Sequence, residues 1–584
     1  MRRADLLGAA ALADPADVTP AGQIAGEVSP AAVVSILRDN KVPLVDLGEA
    51  TRVAPELRRV VESAAWLEAL ERERRERDDL AGELAEITAG FDRRGITAVL
   101  FKTSGGVPYR SSNVDLLVRP ARMSEAAAIL AELGHVRFPH YREDHKLLFR
   151  RFRFGRSVIC THLHDAVSWG KILILPGDDV VARCREPRAG AVAAGCRVSS
   201  PEDLVLTTLA HSLYETDEVR LSDLRAVRQS VTTPGFDWER ILSRVRRNGW
   251  TRGFFSILRI AAALETALWG ASAVPSELLQ GPARAELAGT RWARRHVERT
   301  EDAVGRGPLA GLPHRIPKRY TKLHYLMRLI ASPDRAGDER LADLFATAWN
   351  LLANRLRLRC RPAAIVSLSG LDGSGKSSVI QVLAETMTLC EIPIRVVWSR
   401  GGFTTWMAAA KRAARSAMPR SIPGPGDLEA KQRWLGRPLE AAAFASVVVA
   451  EQTLHYLLRV RARRWTGWSI VCDRFAYDTE ADLEAKLGLR RRLARAAGAI
   501  VTDLAPRPDV AILLRLAPSE AARRKPEESP GEAAVRARAA AYDRIAALHG
   551  LVVVDADRSI AEVAADVVDL ALRVSFSKFS GAGR

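Results

Sequence analysis

The sequence predicts an α/β protein: a doubly wound parallel sheet over residues 361–576, preceded by an α+β front domain at 31–235 and a helical connector at 236–360, with 1–30 left unassigned. Three observations predict this. Short apolar runs at 363–369, 468–472, 508–516 and 550–555 have strand length and alternate with helix-length stretches, the order that builds a parallel sheet. A glycine-rich turn joins the first run to residues Val379, Ile380, Val382, Leu383 and Met387, which recur at helical spacing. In the front part, strand-like runs at 97–102 and 161–164 are followed by a helix at 201–211.

At 584 residues the chain has room for roughly three or four domain-sized units. Its 47% apolar and 27% charged content is that of ordinary globular protein. The apolar stretch after Met1 closes at Asp14, too early for a secretory leader, and no apolar run approaches the ~18 residues of a membrane span. The net charge of +18 is carried largely by arginine, since only 12 of the 87 basic residues are lysine. Those arginines are spread through Ala/Arg/Leu-rich stretches without interleaved aromatics, a coding-composition pattern rather than a nucleic-acid footprint. Six cysteines, Cys160, Cys184, Cys196, Cys360, Cys390 and Cys472, lack C-x-x-C spacing, which argues for a reducing, cytoplasmic setting and against structural zinc.

In the front domain, residues 60–91 carry interleaved charges of opposite sign and read as a surface helix that packs by its apolar face. The strand at 97–102 follows, then 103–118 with Asn113 and Asp115 two residues apart. With the 161–164 strand and the 201–211 helix, the stretch 30–231 resembles the nucleotidyltransferase fold. Active members use two carboxylates on one strand face and a third on a neighbouring strand to hold two metal ions. Here Asn113 stands at the first acidic position, Asp115 at the second, and the neighbouring strand offers Thr161, His162 and His164 with no acid before Asp165. The resemblance therefore implies a metal-poor remnant that binds a substrate or partner. The alternate histidines read as packing on one strand face rather than as a ligand pair.

From 236 to 354 the spacing is helical. Phe254, Phe255, Ile257, Leu258 and Ala261 form one core-facing set, and Leu323, Leu326, Leu329 and Ile330 another, with a break at 313–317. The basic stretch 352–361 is the expected junction.

In the back part, Gly370-Leu371-Asp372-Gly373-Ser374-Gly375-Lys376-Ser377 fills G-x-x-x-x-G-K-[ST] between a strand and a helix, the context of a phosphate-binding loop, or P-loop. Glycines let successive amides point inward at phosphate oxygens, and the helix start adds its positive dipole end. Residues Gly370 to Ser378 are the expected nucleotide cradle; Lys376 reaches the terminal phosphates and Ser377 ligates a bridging Mg2+. The 468–472 run ends in Asp473-Arg474-Phe475. At the carboxyl end of a parallel strand, Asp473 is expected at the magnesium shell and Arg474 at a second phosphate.

This loop, the Asp473-Arg474-Phe475 triplet, the Arg-rich stretch 521–528 and the closing 554–563 segment resemble the thymidylate kinase family of nucleoside monophosphate kinases. The resemblance implies that Asp372 faces the acceptor sugar, Arg400 and Arg474 the acceptor, and Arg523 or Arg524, on a mobile lid, the migrating phosphoryl group. A planar guanidinium there can span two equatorial oxygens. The sequence departs from the family where the base is read: 476–482 is Ala-Tyr-Asp-Thr-Glu-Ala-Asp, and the run after Ser399 keeps its arginine and glycines but not the Glu-Pro. An altered acceptor pocket is expected. The expectation overall is an ATP- and Mg2+-dependent phosphotransferase acting on dTMP or a related nucleoside monophosphate. Its expected partners are that small molecule and a second copy of the chain, with neither nucleic acid nor membrane. Phosphorylation of a non-nucleotide metabolite and an ATP-gated regulatory protein are the alternatives.

Overall fold

Strand-length apolar runs and helical periodicities assemble into two units in the computed structural model, which describes residues 3–13, 28–45, 47, 55–102, 113–138, 143–152, 158–187, 195–306, 312–331, 335–356, 363–390, 392–399, 433–465, 467–487, 490–524 and 532–581. The front unit comprises residues 1–151 and 159–352, and the back unit comprises 353–584 together with the short stretch 152–158.

The front unit holds a mixed sheet. Its strands are β1 (Val99–Leu100), β2 (Asn113–Leu117), β3 (Val136–Phe138), β4 (Lys146–Phe152), β5 (Val158–His164) and β8 (Arg197–Val198), in the order β3-β4-β5-β2-β1-β8. A two-stranded ribbon pairs β6 (Ala166–Trp169) with β7 (Ile172–Pro176), and another pairs β9 (Glu218–Val219) with β10 (His314–Arg315). Alternation along the strands sorts side chains between two cores. Leu100, Val114, Leu116 and Leu163 meet Leu84, Ile87 and Phe91 of the helix Ala64–Asp92 and Ile129 and Leu130 of the helix Met123–Glu132. Val99, Phe101 and Leu117 join the opposite core, so Asp115, His162 and His164, out of phase with Leu116 and Leu163, take that side too.

That second core also takes in most of the helices expected between 236 and 360, the exception being the helix Gly337–Leu356, whose Leu341, Phe345 and Trp349 are exposed. Phe254, Phe255, Ile257, Leu258 and Ala261 of the helix Thr251–Trp269 are all buried in it, together with Ala9 and Ala10 of the helix Arg3–Ala13. The helix Lys318–Ile330 turns a different face inward from the one its leucines predict. Leu329 is buried, but Leu323, Leu326 and Ile330 are exposed, while Tyr320, Thr321, His324 and Arg328 are buried. Aromatic contacts decide it: Tyr320 stacks on His296 with ring centres 3.9 Å apart, and His324 meets Trp292 edge-on at 4.6 Å.

The back unit is built on five parallel strands, β11 (Ile365–Gly370), β12 (Ile394–Trp398), β13 (Ser469–Asp473), β14 (Val510–Arg515) and β15 (Val552–Asp555), in the order β12-β13-β11-β14-β15. β11 is central and wholly buried, flanked by β13 and β14. Helices follow each strand, the doubly wound arrangement expected for this stretch. One helical run, Pro438–Trp465, is long and apolar enough to cross a membrane by length and composition. In this fold its Ala441, Ala445 and Val448 pack on Leu483, Leu487, Ala494 and Ala497 of the two helices after β13. Glu451 and Gln452 of the same run are fully buried.

Candidate functional site

The carboxyl ends of β11 and β13 lie side by side, with Leu368 opposite Asp473, which brings the glycine loop against the Asp473-Arg474-Phe475 turn. Gly370, Gly373 and Gly375 all have positive φ, at 149°, 89° and 83°. Gly370 is fixed by space as well, since a Cβ there would sit 2.6 Å from the Leu514 carbonyl oxygen. Gly370→Ala is therefore expected to destabilise the back unit by about 2 kcal/mol or more, seen as lost hydrogen-exchange protection across β11.

Lys376 opens the helix Lys376–Leu389 with its ammonium buried inside the loop. Nζ donates to the carbonyl oxygens of Gly370 at 2.9 Å and Leu371 at 2.7 Å. Burial, then the adjacent Arg474, pushes its pKa down to about 8, against the pull of Asp478, Asp372 and Asp473. Ser377 and Ser378, in the same first turn, are exposed. Burial raises the Asp473 carboxyl, while Lys376 and Arg474 act in the opposite direction.

Arg474 adopts φ +71°, a left-handed conformation costly for any residue but glycine, while its N–H donates to Leu368 O at 3.0 Å. The strained turn aims its guanidinium at Asp372, with which it pairs. Arg538, from the helix Glu532–His549, donates to the other Asp372 oxygen at 3.4 Å and pairs with Asp482. Burial works against the Asp372 charge, and Arg474, Arg538 and Lys376 overcome it and hold the carboxyl below its usual range. Behind this pair sits Asp478, fully buried. It accepts from Ser369 Oγ at 2.6 Å, Phe475 N at 2.8 Å and Tyr542 OH at 2.7 Å.

The structure thus brings together Asp372, Lys376, Asp473 and Arg474. Arg524 reaches the loop by its backbone end only: a Cβ on Gly373 would lie 3.4 Å from Arg524 Cβ, while its guanidinium binds Glu520 at 2.7 Å. Arg523 also binds Glu520, and 76% of its side chain is exposed, so the structure does not bring it to the loop. Arg400 lies outside the described residues. Sequence reasoning missed Arg538, Asp478, Asp482 and Tyr542. Only Asp478 carried a local signal: three residues after Phe475 it accepts that residue's N–H, the N3 half of a capping box.

In the front unit, β2 sets Asp115 opposite His162 and Leu117 opposite His164 on β5. His162 Nδ1 lies 3.1 Å and His164 Nε2 3.5 Å from the same oxygen, Asp115 Oδ1. Burial opposes the Asp115 charge, but His162, His164 and Lys102 hold it well below its usual range; burial pushes both histidines down, His164 to about 4. Beside them Glu215 accepts from Lys102 Nζ at 3.1 Å and Trp169 Nε1 at 2.7 Å, a pairing with no sequence signature because the partners are far apart in the chain. Asp165, past the end of β5, is engaged by His145 at 2.8 Å instead.

Residues 56–265 match the family model described as an uncharacterised nucleotidyltransferase, a span that begins and ends later than the 30–231 expected from the residues alone. The front unit thus carries a nucleotidyltransferase-like domain. Over 216 residues, 36% of this chain and 97% of the relative, the chain is 27% identical to a probable thymidylate kinase of Pyrobaculum aerophilum.

Proposed function

We propose that the back unit is an ATP- and Mg2+-dependent phosphotransferase that moves the γ-phosphoryl group to a nucleoside monophosphate or a closely related phosphate-bearing acceptor. One observation carries this reading: a glycine loop with a buried lysine sits at the ends of adjacent parallel strands beside Asp473 and the Asp372–Arg474 pair. In that reading the loop amides and Lys376 hold the polyphosphate, Ser377 and Asp473 hold Mg2+, and Arg474 leaves Asp372 in part to take the acceptor phosphate. Phosphoryl transfer asks little covalent chemistry of a protein, and these residues supply positioning and charge neutralisation. Arg524, whose Cβ lies against the loop, would serve as the lid arginine once its guanidinium leaves Glu520. The similarity to a thymidylate kinase supports the reaction class.

A second acceptor class, a phosphorylated metabolite without a base, is favoured by the 476–482 stretch. Its Asp478, Glu480 and Asp482 are buried and committed to Tyr542, Arg544 and Arg538, which leaves them no role in reading a base. The front unit, with Asn113 for an acid, is read as a binding domain. A coupled ADP-release assay across dTMP, other nucleoside monophosphates, simple sugar phosphates and no acceptor tests these readings. ADP release that no acceptor accelerates would sink the transfer reaction.

The Lys376 ammonium also sets a pH limit. Its folded pKa is lowered to about 8, so the charge that attracts polyphosphate is present below that pH and lost above it. MgATP affinity is expected to fall by up to about tenfold per pH unit above pH 8, since one unit is worth about 1.4 kcal/mol. Calorimetry near pH 8.5 in two buffers of different ionisation heat should then report proton uptake on binding.

A further inference from the structure

The front sheet carries a second constellation that the phosphotransfer reading does not use. Asp115, His162 and His164 each offer one ligand atom, all within 4.8 Å of one another, and all three side chains are buried. Both histidines project from one face of β5 toward the same oxygen on β2, at 3.1 Å and 3.5 Å. A tetrahedral ion about 2.0–2.1 Å from each donor puts neighbouring ligand atoms roughly 3.3 Å apart; the two separations from Asp115 bracket that edge, and the two imidazole nitrogens, within 4.8 Å of each other, would draw together on the ion. The ring nitrogens turned away from these contacts supply an independent sign: His162 Nε2 and His164 Nδ1 are buried and have no hydrogen-bond partner. The edge of Phe101, 4.8 Å from the His164 ring, fixes that ring from its apolar side.

We propose that Asp115, His162 and His164 bind one divalent transition-metal ion of the zinc class, with a coordination position left open. The surroundings select the class. Lys102, Lys146 and Arg150 act on this site, with Glu143 and Glu215 drawn to Lys102, so a single carboxylate among three cations cannot attract a hard ion electrostatically as a cluster of acids does. Imidazole nitrogens bind Zn2+, Co2+ or Ni2+ by donor strength rather than by charge, and Mg2+ takes oxygen ligands. The substitution of histidine for the third acid of a nucleotidyltransferase-like strand therefore changes the metal it can hold. Three protein ligands leave the fourth position for water or an incoming anion.

The test uses the full chain, stripped with chelator and titrated with Co2+ followed by Zn2+. Wild type is expected to bind about one equivalent of Co2+ with the strong visible absorption of a four- or five-coordinate site, displaced by Zn2+ and not by millimolar Mg2+. His162→Gln and His164→Gln are each expected to weaken binding on the order of 100-fold or more, because losing even an outer-shell partner costs about 10- to 100-fold. Lys376→Ala should leave binding unchanged. Absence of a stoichiometric Co2+ signal, displacement by Mg2+, or equal affinity in the histidine variants would overturn the proposal. Zinc-edge X-ray absorption on the wild-type protein keeps the test decisive should a variant fail to fold. Two imidazoles and no sulfur around the ion support the site, and thiolate ligation refutes it.

Discussion

Lys376→Ala is expected to lower phosphoryl-transfer turnover by about 10²- to 10³-fold, the usual cost of removing one preorganised charge-stabilising donor, while the back unit stays folded. The asymmetry follows from where the ammonium sits. Its folded pKa is depressed, so burial and the Arg474 charge beside it make the ammonium a net cost to the fold. The two carbonyl oxygens it satisfies, on buried Gly370 and Leu371, are acceptors that a water entering the space vacated by the side chain can serve. Removing Nζ therefore costs little stability and a large share of the transition-state charge. Lys376→Arg is expected to rescue poorly, because a fork of planar nitrogens does not fit a slot built around two carbonyls 2.7 and 2.9 Å from one nitrogen. Initial rates with saturating acceptor, read beside circular dichroism, check both variants. Turnover within a few-fold of wild type in Lys376→Ala would remove the loop from the chemistry.

What could be read from the sequence was local. Apolar runs gave β11, β13 and β14 to within a few residues, because a strand buried on both faces must be apolar throughout, and the valine run of the half-exposed edge strand β15 was found by its strand length and β-branched composition. The loop was legible because positive φ demands glycine at fixed offsets, and Asp473-Arg474 because a charged pair ending a buried strand has few structural uses. Partners distant in the chain were not legible. Ser369 and Asp478 are 109 residues apart, and Asp372 and Arg538 are 166 apart. In a chain this rich in arginine nothing distinguishes Arg538 from the exposed Arg536 two residues earlier. The helix Lys318–Ile330 failed for a different reason. Its leucine spacing implied one buried face, but Tyr320, His324 and Arg328, also one turn apart, found aromatic and polar partners that outweighed three exposed leucines and isoleucines. In the front sheet, His162 and His164 were legible as sharing a strand face; their convergence on Asp115 depended on a register that no single strand encodes.

The largest stability effect is expected at Asp478. Its two oxygens tie together three elements that share no sequence neighbourhood: β11 through Ser369, the strained turn through Phe475 N–H, and the helix Glu532–His549 through Tyr542. Burial pushes the Tyr542 hydroxyl well above its ordinary pKa, so it remains a proton donor to this carboxylate at any working pH. Arg474 Nη1 lies 3.8 Å away, adding charge compensation for a carboxylate with no exposure to water. Asp478→Ala strands three donors in the interior and withdraws a counter-charge from Arg474. Each stranded donor costs about 1–3 kcal/mol and breaking a buried pair about 3–5 kcal/mol, so a total of about 4 kcal/mol or more is expected, a large fraction of a domain's stability. Asp478→Asn keeps one oxygen for Phe475 N–H and lets the two hydroxyls rotate, so it should cost roughly 1–2 kcal/mol. Because the chain holds two units, a single melting temperature would mix their transitions. Hydrogen exchange in β11 and in the helix Glu532–His549 isolates the back unit. If Asp478→Ala leaves protection there unchanged while Asp372→Ala reduces it, the organising carboxylate is the exposed-side Asp372 and not the buried one, and Arg474 owes its left-handed turn to the ion pair alone.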